Sequence, residues 1–277
     1  ALIHVYTDGS IHLNHGGTEM GQGLYTKVAQ VVARFLGVNH GRIQVSATRT
    51  DKVPNTSPTA ASSGSDLNGM AALRAAEVIK SRLFSYLAER EKISIDSINL
   101  KNDRFRCGER EFSFEEVVKG AYMARVQLSA TGFYRTPDVY FDKETGKGCP
   151  FYYFANGAAV SEVLIDSMNG EYRVSRVDIL HDVGDSINPA VDVGQIEGGF
   201  VQGMGWLTTE ELLWDSEGKI ISNSPANYKI PTAYDVPEHF NVRLFDEPND
   251  KETIYRSKAV GEPPRMLALS VWCALRD

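Results

Sequence analysis

The sequence predicts a mixed α+β fold, with hairpins and small mixed sheets packed on helices. Three observations carry that expectation. Apolar and polar residues alternate on either side of Asp8-Gly9. Leu24, Val28, Val31, Val32 and Phe35 then recur at helical spacing. A second pair of long strand-like runs, 151–165 and 172–179, brackets the turn-rich Asp166-Ser-Met-Asn-Gly170. Strands and helices follow one another irregularly, without the strict βαβ repeat of a parallel sheet.

Taken in order, residues 2–6 and 10–13 read as two strands, since Asp-Gly is a favoured hairpin turn. A glycine-rich loop fills 15–23, and the helix after it is stopped by Gly37. Residues 42–47 alternate like another strand. Residues 54–69 are crowded with Pro, Ser, Thr, Ala and Gly and feed a second helix over about 67–87. Ser113 and Glu116 form a capping box for a short helix ending near Ala124. In the second half, 182–188 is a polar loop and 189–206 is helical but rich in glycine. Residues 254–257 lead to a final apolar helix over 266–275. The best seam falls near 145, within 142–148, giving subdomains 1–145 and 146–277. The halves echo one another: each has a hairpin, a Gly-Gln loop and a helix.

With 277 residues, the chain is long enough for one large or two medium domains and a sizeable core. The net charge of −7 leaves no basic face for neutralising phosphates, which argues against nucleic acid as a partner. No apolar stretch reaches membrane-spanning length. Three widely spaced cysteines, with no CxxC pair, suit reduced thiols in a cytoplasmic protein. The chain opens without Met in a strand-like run, so it reads as a piece of something longer.

Val260-Gly261-Glu262-Pro263-Pro264 is the segment richest in chemical possibility. Pro263 suits the first helical position, which places Glu262 at the helix mouth, where free N–H groups favour a carboxylate. That geometry suits a fixed base facing a bound group; a plain helix cap is the simpler reading. Gly21-Gln22-Gly23 and Gly194-Gln195 offer backbone N–H groups and neutral amides to a polar ligand such as a pterin or phosphate. Two ordinary glycine turns would explain them as well. Thr59-Ala60-Ala61-Ser62 precedes a helix and could form a close-fitting wall, or a surface loop. His12 and His15 lack a second pair at ligand spacing, so a zinc site is disfavoured.

Five segments together say more. These are 15–24 (HGGTEMGQGL), 54–62 (PNTSPTAAS), 129–137 (SATGFYRTP), 188–198 (NPAVDVGQIEG) and 257–264 (SKAVGEPP). In this order, over essentially the whole chain, they resemble the molybdenum-binding domain of the xanthine dehydrogenase family of molybdenum hydroxylases, in its C-terminal part. By that resemblance Glu262 is the catalytic base. Ala61 is the backbone neighbour of molybdenum, with no side-chain ligand, and Ala60 lines the substrate pocket. Gln22 and Gln195 hold the molybdopterin, Ser62 is a nearby polar contact, and Gly64 stands where the family carries a second serine.

The resemblance implies hydroxylation of an electron-poor ring carbon of hypoxanthine or xanthine, towards urate, with oxygen from water. Electrons would leave through [2Fe-2S] clusters and FAD, on other domains or subunits, to NAD. The implied partners are the upstream half of the molybdenum domain, which would carry the purine clamp, an Fe-S/FAD module, and a second copy in a dimer of the complete enzyme. The isolated chain is then expected to be inactive. An aldehyde or N-heterocycle hydroxylase of the same family, and a catalytically silent fragment, are the alternatives.

Overall fold

The computed structural model describes residues 1–52 and 56–277, which form two compact units. The first comprises 1–152 with 253–255, the second 153–252 with 256–277. Both mix helices with small sheets, so the fold is α+β.

In the first unit, β1 (Leu2–Val5) and β2 (Ile11–Asn14) pair as the antiparallel hairpin, with His4 opposite His12. Helix α1 (Leu24–Leu36) buries Leu24, Val28, Val32 and Leu36 and ends at Gly37, whose left-handed φ of 74° closes the C-terminus. Strand β3 (Ile43–Val45) runs parallel to β2. Helix α2 (Gly64–Glu91) is longer at both ends than the sequence predicts. Its first turn, Gly-Ser-Asp, carries no apolar residue to extend the periodic signal backwards.

An antiparallel meander follows, β4 (Ile98–Lys101), β5 (Arg104–Cys107) and β6 (Arg110–Ser113). The predicted capping box opens α3 (Phe114–Met123): Ser113 Oγ accepts from the Glu116 N–H at 3.1 Å, and the Glu116 carboxylate accepts from the Ser113 N–H at 2.6 Å. Strand β7 (Ser129–Thr131) pairs with β1, giving a four-stranded sheet of order β3-β2-β1-β7. Strands β8 (Tyr140–Asp142) and β9 (Lys147–Cys149) make a hairpin across the stretch that the sequence suggests as the seam. The core joins Ile3, Ile11 and Leu13 of the sheet to Ile79 and Leu83 of α2 and to Phe114 of α3. Each such fully buried side chain contributes about 1.5–3 kcal/mol.

In the second unit, β10 (Gly157–Ile165) and β11 (Tyr172–Asp182) form the long hairpin, with a register slip between Glu162 and Val163. The glycine-rich helix α4 (Pro189–Thr208) comes next, and β12 (His239–Phe245) then adds to β11 in parallel. The final apolar run is two short helices, α5 (Pro263–Leu267) and α6 (Leu269–Arg276), joined at Ala268. Val177, Ile179, Ile196, Phe200, Met204, Ala268 and Val271 close a separate core.

Two sequence readings are corrected. Residues 151–156, read as the start of a strand, lie outside β10. Gly194-Gln195, read both within the 189–206 helix and as a Gly-Gln loop, lies inside α4. Asn188 caps that helix by accepting from the Val191 N–H at 3.2 Å, and Pro189 fills N1, so the helix starts six residues ahead of Gln195.

Candidate functional site

The first unit brings the 15–23 loop against the segment ahead of α2. The Thr18 N–H donates to Thr59 Oγ1 at 2.8 Å, and there is no room for a Cβ on Gly16 beside the Thr56 side chain. Within the loop, Glu19 replaces the capping side chain that Gly23 lacks. Its carboxylate accepts from the N–H groups of Gly21, Gly23 and Tyr25 at 2.9–3.0 Å. Burial alone would raise the Glu19 pKa, but the Tyr25, Gly21, Gly23 and Met20 amides outweigh it and hold the carboxyl below its ordinary range. Gln22 is half-buried and already engaged: its Oε1 accepts from the Met20 N–H at 2.5 Å and its Nε2 donates to the Thr18 carbonyl at 2.8 Å. One lone pair and one N–H of the amide remain for a ligand.

Ala61 and Ser62 are consecutive residues in the left-handed region, φ 54° and 53°. Neither is glycine, so each Cβ is crowded, at a cost of about 1–2 kcal/mol per residue. Such strain concentrates where a backbone is bent to serve a ligand. Ser63, at the N-cap of α2, donates its hydroxyl to the Ala60 carbonyl at 3.0 Å and does not cap the helix. A cavity of about 530 Å³ opens beside this bend, lined by Thr56, Thr59, Ser63, Gly64, Asn68 and Gly132 among others. His15 is buried under the loop. Its Nδ1 accepts from the Gly17 N–H at 3.1 Å and its Nε2 makes no hydrogen bond of good geometry, though the Asn68 side chain lies beside it. Desolvation pulls its pKa down to about 4, so the ring is neutral. His12 instead stacks on His4 at 5.8 Å, and among the described residues no group of three or more His, Cys, Asp or Glu side chains could hold a metal. Residues 53–55, the last two of which open the 54–62 motif, lie outside the described residues.

The second unit holds Glu262 and Gln195. Glu262 sits at the N-cap of α5, exposed, and its side chain makes no capping bond. The cap reading is therefore not what this carboxylate does. The turn around it is fixed from several sides. Arg256 gives its carbonyl to the N–H groups of Asp185 and Asn249, and the Lys258 N–H bonds the Val183 carbonyl at 2.7 Å. The Ala259 N–H donates to the Tyr153 hydroxyl at 2.7 Å. Lys258 Nζ pairs with Asp182 Oδ2 at 2.5 Å, both side chains nearly buried (13% and 7% exposed). Beyond Glu262, Arg265 donates to Gln202 Oε1 at 3.0 Å and lies over the Trp206 ring.

The glycines of α4 are explained here. A Cβ on Gly199 would lie 2.8 Å from the Gly261 carbonyl oxygen, and one on Gly203 would overlap the Arg265 carbonyl. The Glu262 turn thus rests directly on the helix backbone. Gln195 is half-buried one turn earlier, and Gly194 beside it faces open space.

Comparison with known proteins assigns this architecture. The model of the molybdopterin cofactor-binding domain matches residues 1–237. The chain belongs to that family. Over all 277 residues this molybdopterin cofactor-binding domain is 50% identical to xanthine dehydrogenase/oxidase of Gallus gallus, and 47% identical over 284 aligned residues to xanthine dehydrogenase of Oryza sativa. It spans 19% of the length of each. Among solved structures, quinoline 2-oxidoreductase from Pseudomonas putida is 25% identical with a TM-score of 0.83, covering 98% of this chain and 34% of that one. CO dehydrogenase from Oligotropha carboxidovorans shares the fold at 24% identity and a TM-score of 0.84, covering 99% of this chain and 33% of that one. The family match stops before Glu262, whereas the full-length relatives align across it.

Of the residues the sequence singles out, Gln22 lies in the 15–23 loop, Ala60, Ala61 and Ser62 lie in the bend ahead of α2, and Glu262 and Gln195 lie in the second unit. Sequence reasoning misses Asp182, Tyr153 and Gly199. Aspartate and tyrosine carry no local motif, but a glycine repeated four residues apart in a helix does signal close packing.

Proposed function

We propose that this domain forms part of the catalytic site of a molybdenum hydroxylase of the xanthine dehydrogenase type. What carries the reading is Glu262, an exposed carboxylate held on a fixed turn at a helix mouth. The half-identity over the whole chain to xanthine dehydrogenase/oxidase supports a purine as substrate. Quinoline 2-oxidoreductase favours a second reading, hydroxylation of another N-heterocycle on the same scaffold.

The residues present fit a molybdopterin. The 530 Å³ cavity is lined by hydroxyls, the N-cap side chain of α2 is not used as a cap, and His15 is a neutral buried polar ring. Gln22, Gln195, Ser62 and the Ala60–Ala61 backbone are the residues that would hold it. When bound, the cofactor would supply the two-electron redox chemistry and activate water. Glu262 would take the proton in that step, a general-base role. Ala61, whose side chain is only a methyl group, would offer its backbone as the neighbour of the metal. Ala60 would line the substrate pocket. In this proposal the upstream half of the domain, the iron–sulfur and FAD modules and a second copy complete a cytoplasmic enzyme. The exposed free thiols of Cys149 and Cys273 suit a reducing compartment.

The test is Glu262→Gln in the complete enzyme, assayed by reduction with xanthine, quinoline and an aldehyde. Turnover should fall about a hundredfold to ten-thousandfold, the usual loss on removing a general base, with molybdenum content unchanged. Normal turnover with every substrate would sink the base assignment. Activity on quinoline alone would select the second reading.

A further inference from the structure

The stem of the Glu262 turn contains a charged pair for which the proposed reaction has no direct use. Lys258 lies four residues before the carboxylate. Its Nζ meets Asp182 Oδ2 at 2.5 Å, with 13% and 7% of the two side chains exposed. Asp182 is the last residue of β11, and its other oxygen accepts from the Gly184 N–H at 3.0 Å. Gly184 bridges Ser257, and the Lys258 N–H bonds the Val183 carbonyl. One charge therefore belongs to the sheet and the other to the turn, and backbone bonds flank the pair. On the far side of the turn, the Gly261 carbonyl rests on Gly199 of α4.

A buried ion pair is a poor device for stability, because desolvation offsets most of the attraction. It does fix geometry, since one arrangement alone satisfies both charges. Hydrophobic side chains would fill the same space without that directionality.

We propose that Lys258 and Asp182 are positioning residues for Glu262: the pair registers the turn on the end of β11 and so sets where the carboxylate lies over the bound substrate. The inference rests on Glu262 being the base. Neither residue touches the reacting atoms. Both act through the six-residue stem, 256–261.

The experiment separates stability from placement in the complete enzyme, with xanthine as electron donor. Lys258→Met alone leaves Asp182 buried and unpaired, so both the melting temperature and kcat should fall. In Lys258→Met/Asp182→Leu the stranded charge is gone and the melting temperature should return close to wild type. Its kcat should stay roughly ten- to hundredfold low with KM little changed, because a base displaced by a fraction of an ångström still permits binding. Recovery of kcat together with the melting temperature would show a purely structural pair and overturn the proposal.

Tyr153→Phe gives a second measure should the double variant fail to fold. It deletes one neutral hydrogen bond to the same stem, at the Ala259 N–H. It should lower kcat about three- to tenfold, the equivalent of one such bond, and leave KM unmoved. An unchanged kcat would count against the tether. Glu262→Gln, run alongside, keeps the two ideas apart. Normal turnover there removes the base reading and the tether with it; an inactive Glu262→Gln beside a fully active double variant removes the tether only.

Discussion

Two segments that carry proposed functional residues, one in each unit, are built in opposite ways. Ahead of α2, the Ala60–Ser63 bend holds two crowded left-handed residues, with a threonine bridge and a serine–carbonyl bond as neighbouring ties. Around Glu262, a nearly buried ion pair, a tyrosine hydroxyl, several backbone bonds and a bare helix face converge on one turn. Position is stored as backbone strain in the first and as many mutual contacts in the second. A ligand fits against a strained bend at the level of the main chain, whereas a base must hold its side chain still through proton transfer.

The largest effect expected from breaking this contrast comes at Gly199. Gly199→Ala places a methyl 2.8 Å from the Gly261 carbonyl, so the Glu262 turn must move. Overpacking of this kind costs about 1–3 kcal/mol of stability. The displaced carboxylate should cost up to about a hundredfold in kcat. Gly194→Ala, on the same helix but facing open space, should leave turnover intact and raise stability by about 0.5–1 kcal/mol. Equal kcat in the two variants would dissolve the distinction.

A smaller effect concerns acid. His15 is neutral in the folded chain, with a pKa near 4 against 6.5 when unfolded. Between those values the unfolded state binds the extra proton, so stability is complete above pH 6.5 and declines as pH falls towards 4. The whole loss is on the order of 3 kcal/mol. Amide protection of β2 and α1, corrected for intrinsic exchange, should show the loss in wild type and not in His15→Phe. Parallel pH profiles in the two proteins would refute it.

The smallest change should come from Ala61→Gly. Removing a left-handed Cβ gains about 1–2 kcal/mol, and the freer unfolded chain takes back about 0.5–1. The melting temperature should thus stay level or rise by a few degrees. If the bend presents its backbone to the cofactor, molybdenum content should drop in the slackened variant. Full occupancy would show that the strain serves packing instead.

Much of the fold was legible because periodicity and turn chemistry act locally. The Asp8-Gly9 hairpin, the α1 stripe with its Gly37 stop and the Ser113/Glu116 box all formed as their residues dictate. The β4-β5-β6 meander was not anticipated. Ile98-Asn-Leu-Lys and Arg104-Phe-Arg-Cys do alternate, but each strand is four residues with two apolar positions, too short a run for the period to stand out. Strand β12 was not anticipated either, although His239-Phe-Asn-Val-Arg-Leu-Phe alternates with a period of two. At the site, Glu262 stood out because glycine and proline around a carboxylate constrain it locally. Gln195 was read both within the 189–206 helix and in a Gly-Gln loop, because a Gly-Gln pair looks the same in either. Asp182 and Lys258 are 76 residues apart, and only tertiary structure brings them together.

The glycines of α4 also bear on how the chain is made. Five of its 20 residues are glycine, each weakening the isolated helix by about 0.5–1 kcal/mol relative to alanine. A segment so composed has little tendency to coil by itself. The surface that covers its glycine face, 261–268, lies more than 50 residues further along and leaves the ribosome correspondingly later. During synthesis the apolar face of α4 can therefore pack on β11 at once, whereas its glycine face stays uncovered until the Glu262 turn arrives, and the turn that places the proposed base also completes the packing of the helix beneath it.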